Sequence, residues 1–124
     1  MNNANKELLE TLTRCAKKPL QVRCAVIART KSYNAVDCPA YIVKNANKNA
    51  NIVILKENWN NDDWLTFLEQ LDFDYDDGYG QQEIMGCVWF TDGSWLERGE
   101  YDGLEWWEFK QIPAIPCAVE RGYL

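Results

Sequence analysis

Residues 84–112 read IMGCVWFTDGSWLERGEYDGLEWWEFKQI, and the two Asp-Gly pairs in this run, Asp92-Gly93 and Asp102-Gly103, decide the fold. Each pair stands between runs rich in β-prone residues. Asp-Gly in that setting is the strongest short-range hairpin signal, because a type I′ turn needs positive φ at both central positions. The spacing predicts strands over 84–90, 95–100 and 105–112, joined by two two-residue turns into an antiparallel meander. Pro113 and Pro116 then end regular pairing.

Working outward, Asn60-Asn61-Asp62-Asp63 predicts a helix start, with an Asn cap and two acids where the helix dipole favours them. Trp64, Leu65, Phe67, Leu68 and Leu71 supply its apolar face. Upstream, 20–29, 40–43 and 52–55 read as strands, with a turn at 31–34 and the Asn-rich run KNANKNAN (44–51) as a hairpin tip. Near the start, Leu8, Leu9, Leu12, Cys15 and Ala16 recur at helical spacing, with Asn5 as the expected cap and Pro19 as the stop. The expectation is one α+β domain over 1–124, of order helix-βββ-helix-βββ. Short connections favour a single antiparallel sheet of about six strands with the helices on one face.

Composition narrows the function. The chain of 124 residues is 47% hydrophobic and 26% charged, as an ordinary globular domain is. No run approaches the roughly 20 apolar residues of a membrane helix, and the polar N-terminal stretch lacks the apolar core of a signal peptide, so a cytoplasmic protein is expected. Five cysteines occur without a C-x-x-C pair, which reads as reduced, mostly buried thiols. There is no histidine, which removes the commonest general base and zinc ligand and lowers the expectation of an enzyme.

Charge is divided along the chain. Residues 1–56 carry ten bases against three acids, whereas 57–108 carry fifteen acids against Arg98 alone. Such a segment favours a basic partner surface and disfavours nucleic acid on that face; mutual neutralisation of the two halves is the competing reading. Arg98 is expected to pair across strands with Glu100, Glu108 or Asp92. Arg23, Arg29 and Lys31 lack the aromatic interleaving of an RNA-binding sheet, so they read as solvated surface.

Three constellations remain. Asp72, Asp74, Asp76 and Glu83 fall at positions 1, 3, 5 and 12 of an EF-hand-type calcium loop, but Asp77 stands at the position that requires glycine and a strand follows. Trp106 and Trp107 point to opposite faces of one strand, so one of them must leave the core and can serve as a protein-binding anchor or a sugar platform. Glu97 and Glu108 are conceivable as the carboxylate pair of a glycoside hydrolase.

The pieces Tyr75-Asp76, Gly78-Tyr79-Gly80, Gln82-Glu83, Trp89, Asp92-Gly93, Trp95, 97–103 (ERGEYDG), 105–107 (EWW), Ile112-Pro113 and Ile115-Pro116 together resemble a C-terminal signature of small uncharacterised phage and prophage proteins. Leu104 departs from it, standing where a small polar residue is expected. The resemblance covers the last third to half of the chain and implies a phage origin without implying an activity. Combined with the charge split, it points to a small acidic accessory protein that binds and inhibits a host defence or nucleic-acid-handling complex, as an anti-CRISPR protein would. Partner contact is expected at Asp74, Asp76, Asp77, Glu97, Glu100, Asp102, Glu105 and Trp107, with no cofactor. The alternatives are a calcium-responsive domain on Asp72, Asp74, Asp76 and Glu83, or a small carboxylate enzyme acting on sugars.

Overall fold

A computed structural model describes residues 2–29, 51–76 and 82–122. The elements in chain order are β1 (Asn2–Asn3), α1 (Ala4–Arg14), a 3-10 turn (Pro19–Gln21), β2 (Val22–Arg29), β3 (Asn51–Leu55), α2 (Asn61–Gln70), β4 (Asp74–Tyr75), β5 (Ile84–Phe90), β6 (Trp95–Tyr101), β7 (Leu104–Lys110) and α3 (Cys117–Arg121). Strands β3-β2-β5-β6-β7 form one antiparallel sheet in that spatial order, and β1 pairs with β4 apart from it. The α+β class and the antiparallel meander are as the sequence predicts. The strand expected at 40–43, the turn at 31–34 and almost all of the Asn-rich tip lie outside the described residues.

Both long helices pack on the same face of the sheet. Leu8 and Leu12 of α1 join Trp64, Phe67 and Leu71 at α2 over Ala25, Ile27, Val53, Leu55, Ile84, Val88, Phe90, Leu96 and Trp107. Each large apolar side chain buried here contributes about 1.5–3 kcal/mol relative to exposure. On the opposite, outer face, Val26, Ala28 and Met85 form a smaller cluster with Ile52 and Trp89 packed against it.

The α1 cap lies two residues earlier than expected. Asn3 accepts the Lys6 amide at 3.0 Å, while the Asn5 side chain donates to the Leu68 carbonyl. The reason is local: β1 ends at Asn3, so extended backbone is already available there for a cap. At α2, Asn60 and Asp63 form the reciprocal capping box that the sequence announces.

The two Asp-Gly turns differ. Asp102 and Gly103 both have positive φ, 51° and 87°, the type I′ pattern, and the Glu100 carboxylate accepts the Gly103 amide. At the first turn Gly93 has φ 88° but Asp92 is not among the positive-φ residues, and residues 91–94 separate β5 from β6. Here Asp92 accepts both the amide and the hydroxyl of Ser94 and pairs with Lys17. These partners hold a longer loop in place of the two-residue turn.

Candidate partner-binding face

Strand register sorts the meander into two unlike faces. Cross-strand partners share a face, so Leu96, Arg98 and Trp107 point toward the helices. Trp95, Glu97, Gly99 and Tyr101 of β6, with Leu104, Trp106, Glu108 and Lys110 of β7, point to the outer face.

The helix side holds a buried ionic cluster. Arg98 Nη1 donates to Glu7 Oε1 at 2.9 Å, and Nη2 donates to Glu105 Oε1 at 2.7 Å and to the Tyr75 hydroxyl at 3.0 Å. Tyr75 in turn donates to Glu7 Oε1 at 2.6 Å. Glu105 accepts the backbone amides of Glu83 and Ile84. The guanidinium lies 4.8 Å from the Trp107 ring centroid, which adds cation–π attraction. α1, β4, β7 and, through Glu105, the start of β5 are therefore tied to one cation on β6, which explains why a solitary base sits among so many acids.

The environment shifts Glu105 and Tyr75 upward, as it does Arg98. Burial pushes the Glu105 carboxyl up from its ordinary value, and the Arg98 hydrogen bond and the Glu83 and Ile84 amides pull it back. Burial likewise drives the Tyr75 phenol well above its usual range, against the opposing Arg98 charge. Since the folded-state value lies above the unfolded one, Tyr75 contributes stability that is complete below about pH 10 and is lost as pH rises beyond it. Above pH 10, stability of the natural chain is expected to fall more steeply than that of Tyr75→Phe. The difference in 295 nm absorbance between them should show a phenolate signal only on unfolding. Equal slopes, with a phenolate signal near pH 10 in the folded protein, would contradict this.

On the outer face, two Trp-x-Glu triplets, Trp95-Leu96-Glu97 and Trp106-Trp107-Glu108, run antiparallel beside each other. Glu97 stands directly opposite Glu108. Trp95 lies one side-chain step, about 7 Å, to one side of this pair and Trp106 the same distance to the other. Each indole donates to the glutamate of its own strand: Trp95 Nε1 to Glu97 at 2.9 Å and Trp106 Nε1 to Glu108 at 3.0 Å. Gly99 makes room for this. A Cβ there would fall 2.6 Å from Trp106 Nε1 and 2.6 Å from Glu108 Oε1, so the Trp106 indole lies across the glycine. Opposed like charges are destabilising, by roughly 0.8 kcal/mol at 5 Å in bulk water. The indole hydrogen bonds and Lys110, 3.4 Å from Glu108, offset part of that.

Several expected contact residues are placed elsewhere. Glu105 and Trp107 are buried, 5% and 7% exposed, because their strand phase turns them to the helix side, where Arg98 holds one and stacks on the other. Trp106, 36% exposed, is the outward tryptophan. Glu97, Glu100 and Asp102 remain accessible, and none forms an ion pair among the described residues. Arg98 pairs with Glu7 and Glu105, not with Glu100, Glu108 or Asp92. A sequence signal for this existed: Arg98 is in phase with Leu96, and Glu7 sits on the buried stripe Ala4, Leu8, Thr11 of α1.

The described part of the Asp72–Glu83 run has other partners. Asp74 and Tyr75 form strand β4 and Tyr75 is a core residue. The Asp72 and Asp74 carboxylates accept the Asn3 side-chain amide, and Glu83 accepts the Asp76 backbone amide. Asp72 and Asp74 thus meet at the Asn3 amide nitrogen, and among the described residues no group of three or more ligating side chains is assembled. Asp77 lies outside the described residues.

The charge split is partly neutralised within the fold. Lys17–Asp92, Arg23–Glu57 and Lys56–Asp63 each join a base of the N-terminal half to an acid beyond it. Hydrogen bonds from Lys17, then from Ser94, hold the Asp92 carboxyl well below the usual carboxylate range. Among the described residues, the acids without an ion pair include Glu97, Glu100 and Asp102 on the β6–β7 hairpin, Asp62 and Glu69 on α2, and Asp72 and Asp74 beside or in β4. Among the described residues no helix is long and apolar enough to cross a membrane. Protein-family models, curated proteins and solved structures were compared with this chain, and none matches.

Proposed function

We propose that this chain is a binding protein without catalytic activity that offers the outer face and far end of its β6–β7 hairpin to a basic protein surface. One observation carries the reading: the Trp106 indole is exposed on the outer face beside Glu97 and Glu108, and Glu100 and Asp102 at the end of the same hairpin form no ion pair among the described residues. An exposed, rigidly held tryptophan among acids combines a contact anchor with electrostatic steering.

The finer proposal is that the basic surface belongs to a host defence or nucleic-acid-handling complex, which the chain inhibits as a phage-type, anti-CRISPR-like protein in the host cytoplasm. The resemblance of residues 75–116 to phage proteins supports that assignment, and carboxylates on a sheet can occupy a groove built for phosphates. In the test, the tagged protein captures partners from host lysate at low and high salt, beside the variant Glu97→Lys/Glu100→Lys/Asp102→Lys. The expected result is a salt-sensitive basic protein that nucleic acid displaces and that the variant captures at least tenfold less. Equal capture by the variant would overturn the proposal.

A further inference from the structure

We propose that β7 is a self-pairing edge: two copies of this chain join antiparallel along Leu104–Lys110 and continue their sheets into one. The proposal goes beyond the binding reading above and does not depend on it.

The hydrogen-bond phase of the meander defines the edge. Asp102-Gly103 closes a two-residue type I′ turn, so Tyr101 and Leu104 exchange both main-chain hydrogen bonds. By alternation Gly99 and Trp106, Glu97 and Glu108, and Trp95 and Lys110 do the same. The preceding strand pair agrees. The Phe90 amide donates to the Ser94 carbonyl, which phases the main chain of Leu96 toward β5 and leaves that of Trp95 and Glu97 for β7. The main-chain groups of Glu105, Trp107 and Phe109 therefore point away from β6. Among the described residues no strand pairs on that side and no hydrogen bond reaches these groups there. Natural sheets usually shorten, bulge, cover or proline-break such an edge. β7 has seven residues, no proline and an unbroken register with β6.

The occupant that fits is a second copy. The strand is centred on Trp107, and a two-fold axis there pairs its whole length. Glu105, Trp107 and Phe109 meet Phe109, Trp107 and Glu105 of the second copy through matching main-chain donors and acceptors. On the outer face Leu104 stands opposite Lys110 and Trp106 opposite Glu108, so no like charges are opposed; an axis at Glu108 would oppose two glutamates. Lys110 also comes diagonal to Asp102 of the second copy, an acid without an ion pair in its own chain among the described residues. The segment after β7 supplies further contact. Its Ile112, Ile115 and Val119 are exposed, and α3 buries no residue. This arm leaves β7 beside the second copy's hairpin end, where Tyr101 and Leu104 are exposed as well.

The test is sedimentation equilibrium with amide hydrogen exchange on the whole chain, from low micromolar to about 0.5 mM. A monomer–dimer equilibrium is expected, with a dissociation constant of about 100 µM or tighter, in the range of a modest interface. At the high concentration the amides of Glu105, Trp107 and Phe109 should gain at least tenfold protection. Those of Trp106, Glu108 and Lys110, already bonded to β6, should change less. Leu104→Glu/Lys110→Glu, at two exposed positions, opposes like charges at both ends of the pairing and should weaken the dimer at least tenfold. Leu104→Lys/Lys110→Glu puts opposite charges there and should recover most of that loss. A monomer at every concentration would overturn the proposal. So would a dimer whose β7 amides stay unprotected, or one that both double variants form equally well.

Discussion

Replacing Arg98 with methionine should cost the fold about 3–5 kcal/mol, the range for removing one partner of a buried charge pair. The side chain has no exposed surface and bridges Glu7 and Glu105, with Tyr75 between them. Methionine fills much of the volume but leaves two carboxylates facing each other without a cation. The loss should appear as a lower urea midpoint with an unchanged slope. The triple variant Arg98→Met/Glu7→Gln/Glu105→Gln should recover a large part of it, because the stranded charges are gone. A loss below about 1 kcal/mol in the single variant would mean that the cluster is not ionised as described. One atom already marks the tension of this arrangement: Arg98 Nε is buried without a hydrogen-bond partner, and such groups carry a desolvation cost.

Gly86→Ala should be at least as damaging, with a cost of about 4 kcal/mol or more, in the range reserved for outright steric conflict. Gly86 has φ +146°, and a Cβ built on it would lie 2.1 Å from the Val26 carbonyl oxygen and 2.9 Å from the Ile27 Cα. Both are backbone atoms of β2, so no side-chain rotation can relieve the overlap. β2 and β5 are adjacent inner strands of the sheet, and separating them would open the helix-side core. Gly93→Ala provides the contrast. Its φ is +88° but nothing lies within 4 Å of the added carbon, so the cost should be only the left-handed backbone term of roughly 1–2 kcal/mol. Similar thermal midpoints for the two variants would contradict the packing described for Gly86.

How much of this was legible in the sequence follows from the range of each interaction. The β-meander, the second helix and its Asn60 cap depend on neighbours a few residues apart, and periodicity with turn chemistry exposed them. Strand alternation also required Trp106 and Trp107 to part. It could not say which one faces the helices, because that choice is made by Arg98 and, through it, by Glu7, 91 residues away. Tyr75 was hidden for a related reason. It stands in an Asp-rich run that looks like a surface loop, yet pairing with Asn2 turns it into the core. At the Asp92-Gly93 turn, the dipeptide fixed the position, but Ser94 and Lys17 decided the loop length. The opposed Trp-x-Glu triplets were present as letters. Their meeting depended on the register set by the Asp102-Gly103 turn.

The account stands or falls on which surface the partner covers. Oxidative footprinting of tryptophan, applied to the free protein and to the captured complex, addresses that directly. The free protein should be oxidised at Trp106 and more slowly at Trp95, with Trp107 silent. In the complex, Trp106 and Trp95 should be protected while solvent-facing residues of α1 and α2 keep their free-state reactivity. Protection confined to α1 or α2, with Trp106 as reactive as in the free protein, would contradict the outer face as the binding surface.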